Sequence, residues 1–171
     1  MADFNPAFEE MIQNEGGYQL TNVASDRGGQ TYAGIARNFH SNWPGWTIID
    51  RGDMGNLELS RLVREFYKAN FWDVVSGDAI GPQAIAAGIF DFAVNAGTST
   101  AAKLAQLVVS AVPDGRIGPK TLAALNELDE GVFVLKYSLA KVARYAEICN
   151  KDRSQSKFLL GWINRTMKGL T

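Results

Sequence analysis

The chain has 171 residues, 46% of them hydrophobic, and a formal net charge of −1, which suits one compact domain, or one with a small helical appendage, with enough apolar residues for a core. The near-zero charge supplies no bulk positive field and argues against nucleic acid as a partner held by phosphate attraction. One His and one Cys, His40 and Cys149, exclude an internal disulfide and cannot by themselves make a catalytic zinc site of the usual kind.

The amino-terminal residues Met1 to Pro6 have neither a basic start nor an apolar run, so no secretory signal peptide is expected and the chain should be made in the cytoplasm. Asn5 suits an N-cap and Pro6 a first helical residue. Phe4, Phe8, Met11 and Ile12 then form one stripe, and Glu15, four after Met11 and three after Ile12, falls in the middle of it. Gly16 and Gly17 end this helix and leave room beside the carboxyl. Residues 18–56 are rich in Gly, Asn, Asp, Ser, Thr and aromatics. Within them Ser25 to Tyr32 reads as a tight turn between short strands, and Asn42 to Trp46 as a second turn.

From Asn56, a suitable cap, the pattern is helical, with Leu59, Leu62, Val63 and Phe66 in one stripe. Gly81-Pro82 opens a helix that runs to about Ala96 and stops at Gly97. Thr98 or Ser99 caps the next, which carries Leu104, Leu107 and Val108. Pro113 to Pro119 is a compact loop, and helices follow at about 119–128, 130–150 and 154–168. Cys149 sits among Val142, Tyr145 and Ala146 and is expected in the core. No segment approaches the roughly 20 apolar residues that span a bilayer, so membrane insertion is not expected. The architecture predicted is mostly α with a small β-hairpin near the amino end.

A carboxyl held against apolar side chains loses hydration of its charged form, so its pKa rises, which suits a general acid near neutral pH. Glu15 has that position; the competing reading is a last-turn residue exposed by fraying. Asp26 and Thr31 follow on a hairpin that can fold back toward the helix end. Glycoside hydrolysis commonly uses two carboxyl groups about the scissile bond. Glu15 would be the acid and Asp26 the second group, or Thr31 would position water through its hydroxyl. Asp26 before Arg-Gly-Gly is also ordinary turn chemistry. Tyr18, Tyr32, Trp43 and Trp46 offer flat faces for sugar rings, or fill the core. Asn95 can donate to and accept from sugar hydroxyls or N-acetyl groups, or cap the helix before Gly97. Asp91, one turn earlier on the same face, could hold Asn95 or be a surface charge. The Asp114–Pro119 loop suits a capped turn between helices better than a ligand contact.

Glu15-Gly16-Gly17-Tyr18, then Asp26-Arg27-Gly28-Gly29-Gln30-Thr31 and Gly34-Ile35, resembles glycoside hydrolase family 108, phage- and prophage-type N-acetylmuramidases with a lysozyme-like fold. The resemblance implies that Glu15 is catalytic. The family hairpin reads D-P-G-G-x-T; Arg27 replaces its proline, which alters the stiffness of the turn that places Asp26. Phe71-Trp72-Asp73 and the stretch Asp91 to Gly97, which reads D-x-A-V-N-x-G, are similar to further family segments. Asp114 to Thr121, D-G-x-x-G-P-x-T, is similar to the loop of a small helical module associated with peptidoglycan binding. Together these motifs cover about residues 5–165.

What the resemblance implies is a mainly α, lysozyme-like fold. Residues 1–97 would be the catalytic region and 98–171 a helical peptidoglycan-binding-type region, packed into one compact unit. The enzyme would cleave the β-1,4 bond between N-acetylmuramic acid and N-acetylglucosamine in peptidoglycan glycan strands. Glu15, Asp26 and Thr31 would serve the reaction, and Tyr18, Tyr32, Asn95 and Asp91 the substrate, with no metal or cofactor. A lytic transglycosylase, working through a single Glu, and a non-catalytic wall-binding module are the alternatives. With no signal peptide expected, the resemblance implies a phage or prophage endolysin released through a holin-like pore.

Overall fold

The computed structural model describes residues 1–22 and 28–169. In chain order it holds α1 (Phe4–Asn14), the strands β1 (Leu20–Asn22), β2 (Gln30–Tyr32) and β3 (Ile35–Ala36), then α2 (Gly45–Asp50) and α3 (Leu57–Tyr67). A π-helical turn (Lys68–Trp72) and a 3-10 turn (Gly77–Ala79) lead to α4 (Gln83–Ala96), α5 (Thr98–Val108), α6 (Pro119–Glu127), α7 (Glu130–Lys151), a 3-10 stretch (Arg153–Phe158) and α8 (Leu159–Lys168). The fold is mainly α with one small antiparallel sheet, as the sequence predicts. Chain packing divides it into two compact units, Asn5–Asn70, and Met1–Phe4 with Phe71–Thr171.

In the unit Asn5–Asn70, α1 already begins at Phe4, so Asn5 lies inside its first turn rather than capping it, and Pro6 is its third residue rather than its first. Proline is tolerated there because the first helical N–H groups have no intrahelical partner. Phe8, Met11 and Ile12 are buried, as their spacing predicts. The Phe8 ring lies 5.9 Å from that of Tyr67 on α3. The Arg64 guanidinium sits 4.5 Å over Phe8 and donates to Asn5 Oδ1 at 3.1 Å and Glu9 Oε1 at 2.6 Å, tying α1 to α3.

β1 pairs with β2 in the register Leu20 to Tyr32, Thr21 to Thr31 and Asn22 to Gln30, and β2 with β3 as Thr31 to Ala36 and Tyr32 to Ile35. Successive side chains alternate between faces. One row is therefore Leu20, Tyr32 and Ile35, of which the last two are buried, and the other is Thr21, Thr31 and Ala36. Residues 25–27 of the expected turn lie outside the described residues. The second expected turn, Asn42 to Trp46, is instead the entry to α2, a helix too short for its apolar period to register. Its indoles are buried: Trp46 Nε1 donates to the His40 carbonyl at 2.8 Å, and the Trp43 and Trp46 rings meet edge-on at 5.2 Å. Arg37 binds both Asp50 oxygens at 2.7 Å, joining the exit of β3 to α2.

In the other unit α4, α5 and α7 pack on one another, and α7 on α8. Ile85, Ala86, Ile89, Phe90, Phe92 and Ala93 bury most faces of α4. Gly97 ends α4 at φ +89° with its N–H on the Ala93 carbonyl, and it is also the N-cap of α5. Thr98 and Ser99 are thus inside α5 and neither caps it. Leu107 is exposed on α5 while the small residues Ala101, Ala102 and Ala105 are buried. Tyr137 donates to the Ala101 carbonyl at 3.0 Å, and Cys149 is in the core as expected.

Candidate active site

Glu15 is placed by the way α1 stops. Its own N–H still bonds the Met11 carbonyl at 3.1 Å. Gly17 N–H then reaches back to the Ile12 carbonyl at 2.8 Å and Gly16 N–H to the Gln13 carbonyl at 3.2 Å. Those two bonds, with φ +88° at Gly16, are the Schellman ending of a helix, and they make Glu15 the C-cap residue. The helix end is pinned rather than frayed. Glu15 is half-buried, at the edge of the apolar stripe rather than embedded in it.

The carboxyl faces the hairpin. Ala33 and Gly34, at φ +48° and +80°, form the two-residue turn between β2 and β3; that both are left-handed fits the type I′ turn favoured in such hairpins. Tyr67, buried on α3, donates its hydroxyl to the Ala33 carbonyl at 2.8 Å and fixes the turn. A side-chain carbon at residue 34 would overlap that hydroxyl and lie 3.5 Å from Glu15 Oε2. It is the Tyr67 hydroxyl that demands glycine here, since the distance to the carboxyl would be an ordinary contact.

Between these elements lies a cavity of about 320 Å³, lined by Glu15, Gly16, Gln19, Thr21, Gly28, Thr31, Gly34, Ala36 and Phe39. Its floor is the outward row of the sheet, Thr21, Thr31 and Ala36. Thr31 Oγ1 donates to the Gly29 carbonyl at 3.4 Å, and Thr21 Oγ1 to the Thr31 carbonyl at 3.5 Å. The structure therefore brings Glu15 and Thr31 to one cleft. Asp26 lies outside the described residues.

The aromatics are distributed differently from the expectation. Tyr32 is 2% exposed, because it falls on the inward row of β2; its ring stacks on Trp43 at 6.4 Å and packs against Tyr18 at 6.5 Å. It offers no open face to a sugar, and burial pushes its hydroxyl pKa up. Trp43 and Trp46 are likewise core. Tyr18 is 39% exposed; burial raises its pKa, with opposing fields from Arg64 and Glu9. Neither tyrosine is among the described residues lining the cleft. The aromatic that does line it is Phe39, 68% exposed and without a ring partner among the described residues. Sequence reading missed Phe39 because it stands in an irregular segment with no period to mark it.

Asp91 and Asn95 belong to α4, in the other unit. Asp91 accepts from Arg165 Nη2 at 2.9 Å and Nε at 3.4 Å, a part-buried ion pair that the sequence did not announce. Asn95 is exposed.

The family model "Glycosyl hydrolase 108" matches residues 8–97, and "Predicted Peptidoglycan domain" matches residues 101–167. No curated protein matches the chain. Among solved structures, that of Brucella abortus SagA is 28% identical, with a TM-score of 0.73 over 98% of this chain and 91% of that one. With the first of these models spanning more than half of its residues, this chain belongs to the glycosyl hydrolase 108 family, as a glycoside hydrolase that acts on peptidoglycan.

Proposed function

We propose that the enzyme is an N-acetylmuramidase, cleaving the β-1,4 bond between N-acetylmuramic acid and N-acetylglucosamine. One observation carries the reading: the Glu15 carboxyl, held at a capped helix end, opens onto a cleft floored by the polar row Thr21 and Thr31. Glu15 gives its proton to the glycosidic oxygen as the bond to the anomeric carbon breaks. The Thr31 hydroxyl spends its hydrogen on the Gly29 carbonyl, so its lone pairs can accept from a water that adds to that carbon. The water's proton leaves to Asp26 or to solvent. Phe39 presents a flat apolar face for a sugar ring, and the exposed Asn95 amide is a further candidate glycan contact. The biological setting we assign is phage or prophage lysis, with passage through a holin-like pore; its support is the family resemblance of the Glu15 motif and the hairpin.

A lytic transglycosylase is the second reading. It is favoured by Glu15 being the one carboxyl among the described residues that line the cleft. There the muramic acid's own C6 hydroxyl adds to the anomeric carbon and returns its proton to Glu15.

Digestion of purified peptidoglycan, followed by borohydride reduction and mass spectrometry, separates the two. Wild type should release chains with reduced muramic acid ends, and Glu15→Gln should release them about 10²–10⁴-fold more slowly. Anhydro ends would replace the first reading with the second. Equal cleavage by both proteins would remove Glu15 from the mechanism.

A further inference from the structure

A second cavity, of about 700 Å³, lies where α5 ends and α6 begins, within the stretch that the peptidoglycan-domain model matches. Its wall is organised by one buried amide. Gln106, 1% exposed, donates through Nε2 to Asp114 Oδ1 at 2.8 Å and to the Arg116 carbonyl at 3.0 Å, with Thr121 Oγ1 at 3.3 Å. Its Oε1 accepts from Gly115 N–H at 2.9 Å. Asp114 Oδ1 also accepts from Arg116 N–H at 2.8 Å. The loop Pro113 to Pro119 is therefore a preformed shell. α5 enters it through a Schellman ending, with Ala111 N–H on the Gln106 carbonyl at 2.8 Å and Ser110 at φ +56°.

The lining divides by chemistry. Val109, Ala111, Val112, Pro119 and Ala124 are aliphatic, and no aromatic ring is among the described residues that line it. Sugar sites commonly use a ring face to stack on, and this one has none to give. Aliphatic surface of this size instead suits methyl-sized side chains. Arg116 and Lys120 stand exposed at the rim, and neither makes an ion pair among the described residues. The one carboxylate present, Asp114, is bound to the wall by the amide and the backbone. A ligand that fits carries small alkyl groups and carboxylates spaced along a short chain.

We propose that this cavity binds the stem peptides of peptidoglycan, short acidic peptides rich in alanine, with their methyl groups on the aliphatic floor and their carboxylates at Arg116 and Lys120. The inference rests on peptidoglycan being the substrate and gives the polymer's peptide part a site of its own. It makes the Asp114–Pro119 loop more than the structural turn its sequence suggests.

The test is a titration of the full, isotope-labelled chain with N-acetyl-L-Ala-γ-D-Glu-meso-diaminopimelyl-D-Ala, and separately with chitotetraose. The peptide should shift backbone amide signals of residues 106–124 with saturable affinity. Arg116→Ser with Lys120→Ser should weaken it about ten-fold, at an unchanged melting temperature because both side chains are exposed. Added salt should weaken wild-type binding in the same direction. Unmoved signals, equal affinity in the double variant, or shifts of the same signals by chitotetraose instead of peptide would each overturn the proposal. The titration reads binding without cleavage, so its failure leaves the muramidase reading standing, and the digestion experiment can fail without touching it.

Discussion

Gly34 sets how near the hairpin turn can come to the Tyr67 hydroxyl. Its φ of +80° and the Tyr67 hydroxyl against it forbid a side chain for two separate reasons. A left-handed non-glycine residue costs about 1–2 kcal/mol and an overpacked contact about 1–3 kcal/mol. Gly34→Ala should therefore lower stability by about 2–5 kcal/mol in urea unfolding, and part of that loss should return when Tyr67→Phe removes the opposing oxygen. A Gly34→Ala protein that unfolds at the wild-type midpoint would mean the turn does not lie so close against the Tyr67 hydroxyl. Phe39 gives the opposite expectation. With 68% of it exposed and no ring against it among the described residues, Phe39→Ala should leave the melting temperature alone. If its face stacks on sugar, KM for glycan should rise several-fold while kcat holds, since such contacts are worth about 0.5–1.5 kcal/mol. At this scale the Glu15 motif was legible because glycines after a helical stripe have one common geometric use. The burial of Tyr32 was legible in principle, from alternation along β2 with Thr31 facing the cleft. Phe39 was not, since only three-dimensional placement separates a cleft aromatic from a core one.

The long helices were read nearly to their ends because their apolar periods are long enough to count: α6 and α7 end within a residue of where the sequence places them. The errors lie at short or shared junctions. α2 has six residues and too few turns for a period. At the start of α5 a hydroxyl side chain is an obvious cap, yet Gly97 serves both helices and leaves Thr98 inside. Within α7 one residue departs from its surroundings in a way no pattern announces. Lys141 is 9% exposed, with its ammonium 5.2 Å from the Phe92 ring and 4.8 Å from that of Tyr137. Burial lowers its pKa below the usual 10.5, outweighing the Asp91 field that raises it. In the window between the lowered folded pKa and 10.5, the unfolded chain holds more protons, so stability rises with pH there; below that window the full penalty is present. Lys141→Met, which keeps a long flexible side chain without the charge, should raise the unfolding free energy at pH 7 by about 1 kcal/mol. The advantage should shrink as pH rises through that window and vanish only above 10.5, where the wild-type lysine becomes neutral in both states. A variant less stable than wild type at pH 7 would show that the two rings repay the lysine's desolvation.

At the scale of the whole molecule, the sequence families and the packing divide the chain at different places. The two family models meet between residues 97 and 101, whereas the compact units meet between Asn70 and Phe71. The difference concerns α4, which carries family motif residues of the first region but packs with α5 and α7 of the second. Its six buried residues, Ile85, Ala86, Ile89, Phe90, Phe92 and Ala93, leave it few polar faces. Motif order cannot reveal this, because a resemblance records which residues recur and not which helix buries them. We take the boundary that matters for folding to be the packing one. A chain cut after Gly97 would strip α4 of α5 and α7. Phe90 would keep Phe4 and Trp72, but Phe92 would lose Tyr137 and Tyr145. Re-exposing three large side chains at about 1.5–3 kcal/mol each removes an amount comparable to the whole stability of a small domain, about 5–15 kcal/mol. The fragment 1–97 should therefore lack a cooperative thermal transition by circular dichroism and show poor amide dispersion, although it contains Glu15, Thr31 and Phe39. A fragment that melts cooperatively and cleaves peptidoglycan would instead establish 1–97 as a self-sufficient catalytic domain and make the carboxyl-terminal helices an appendage.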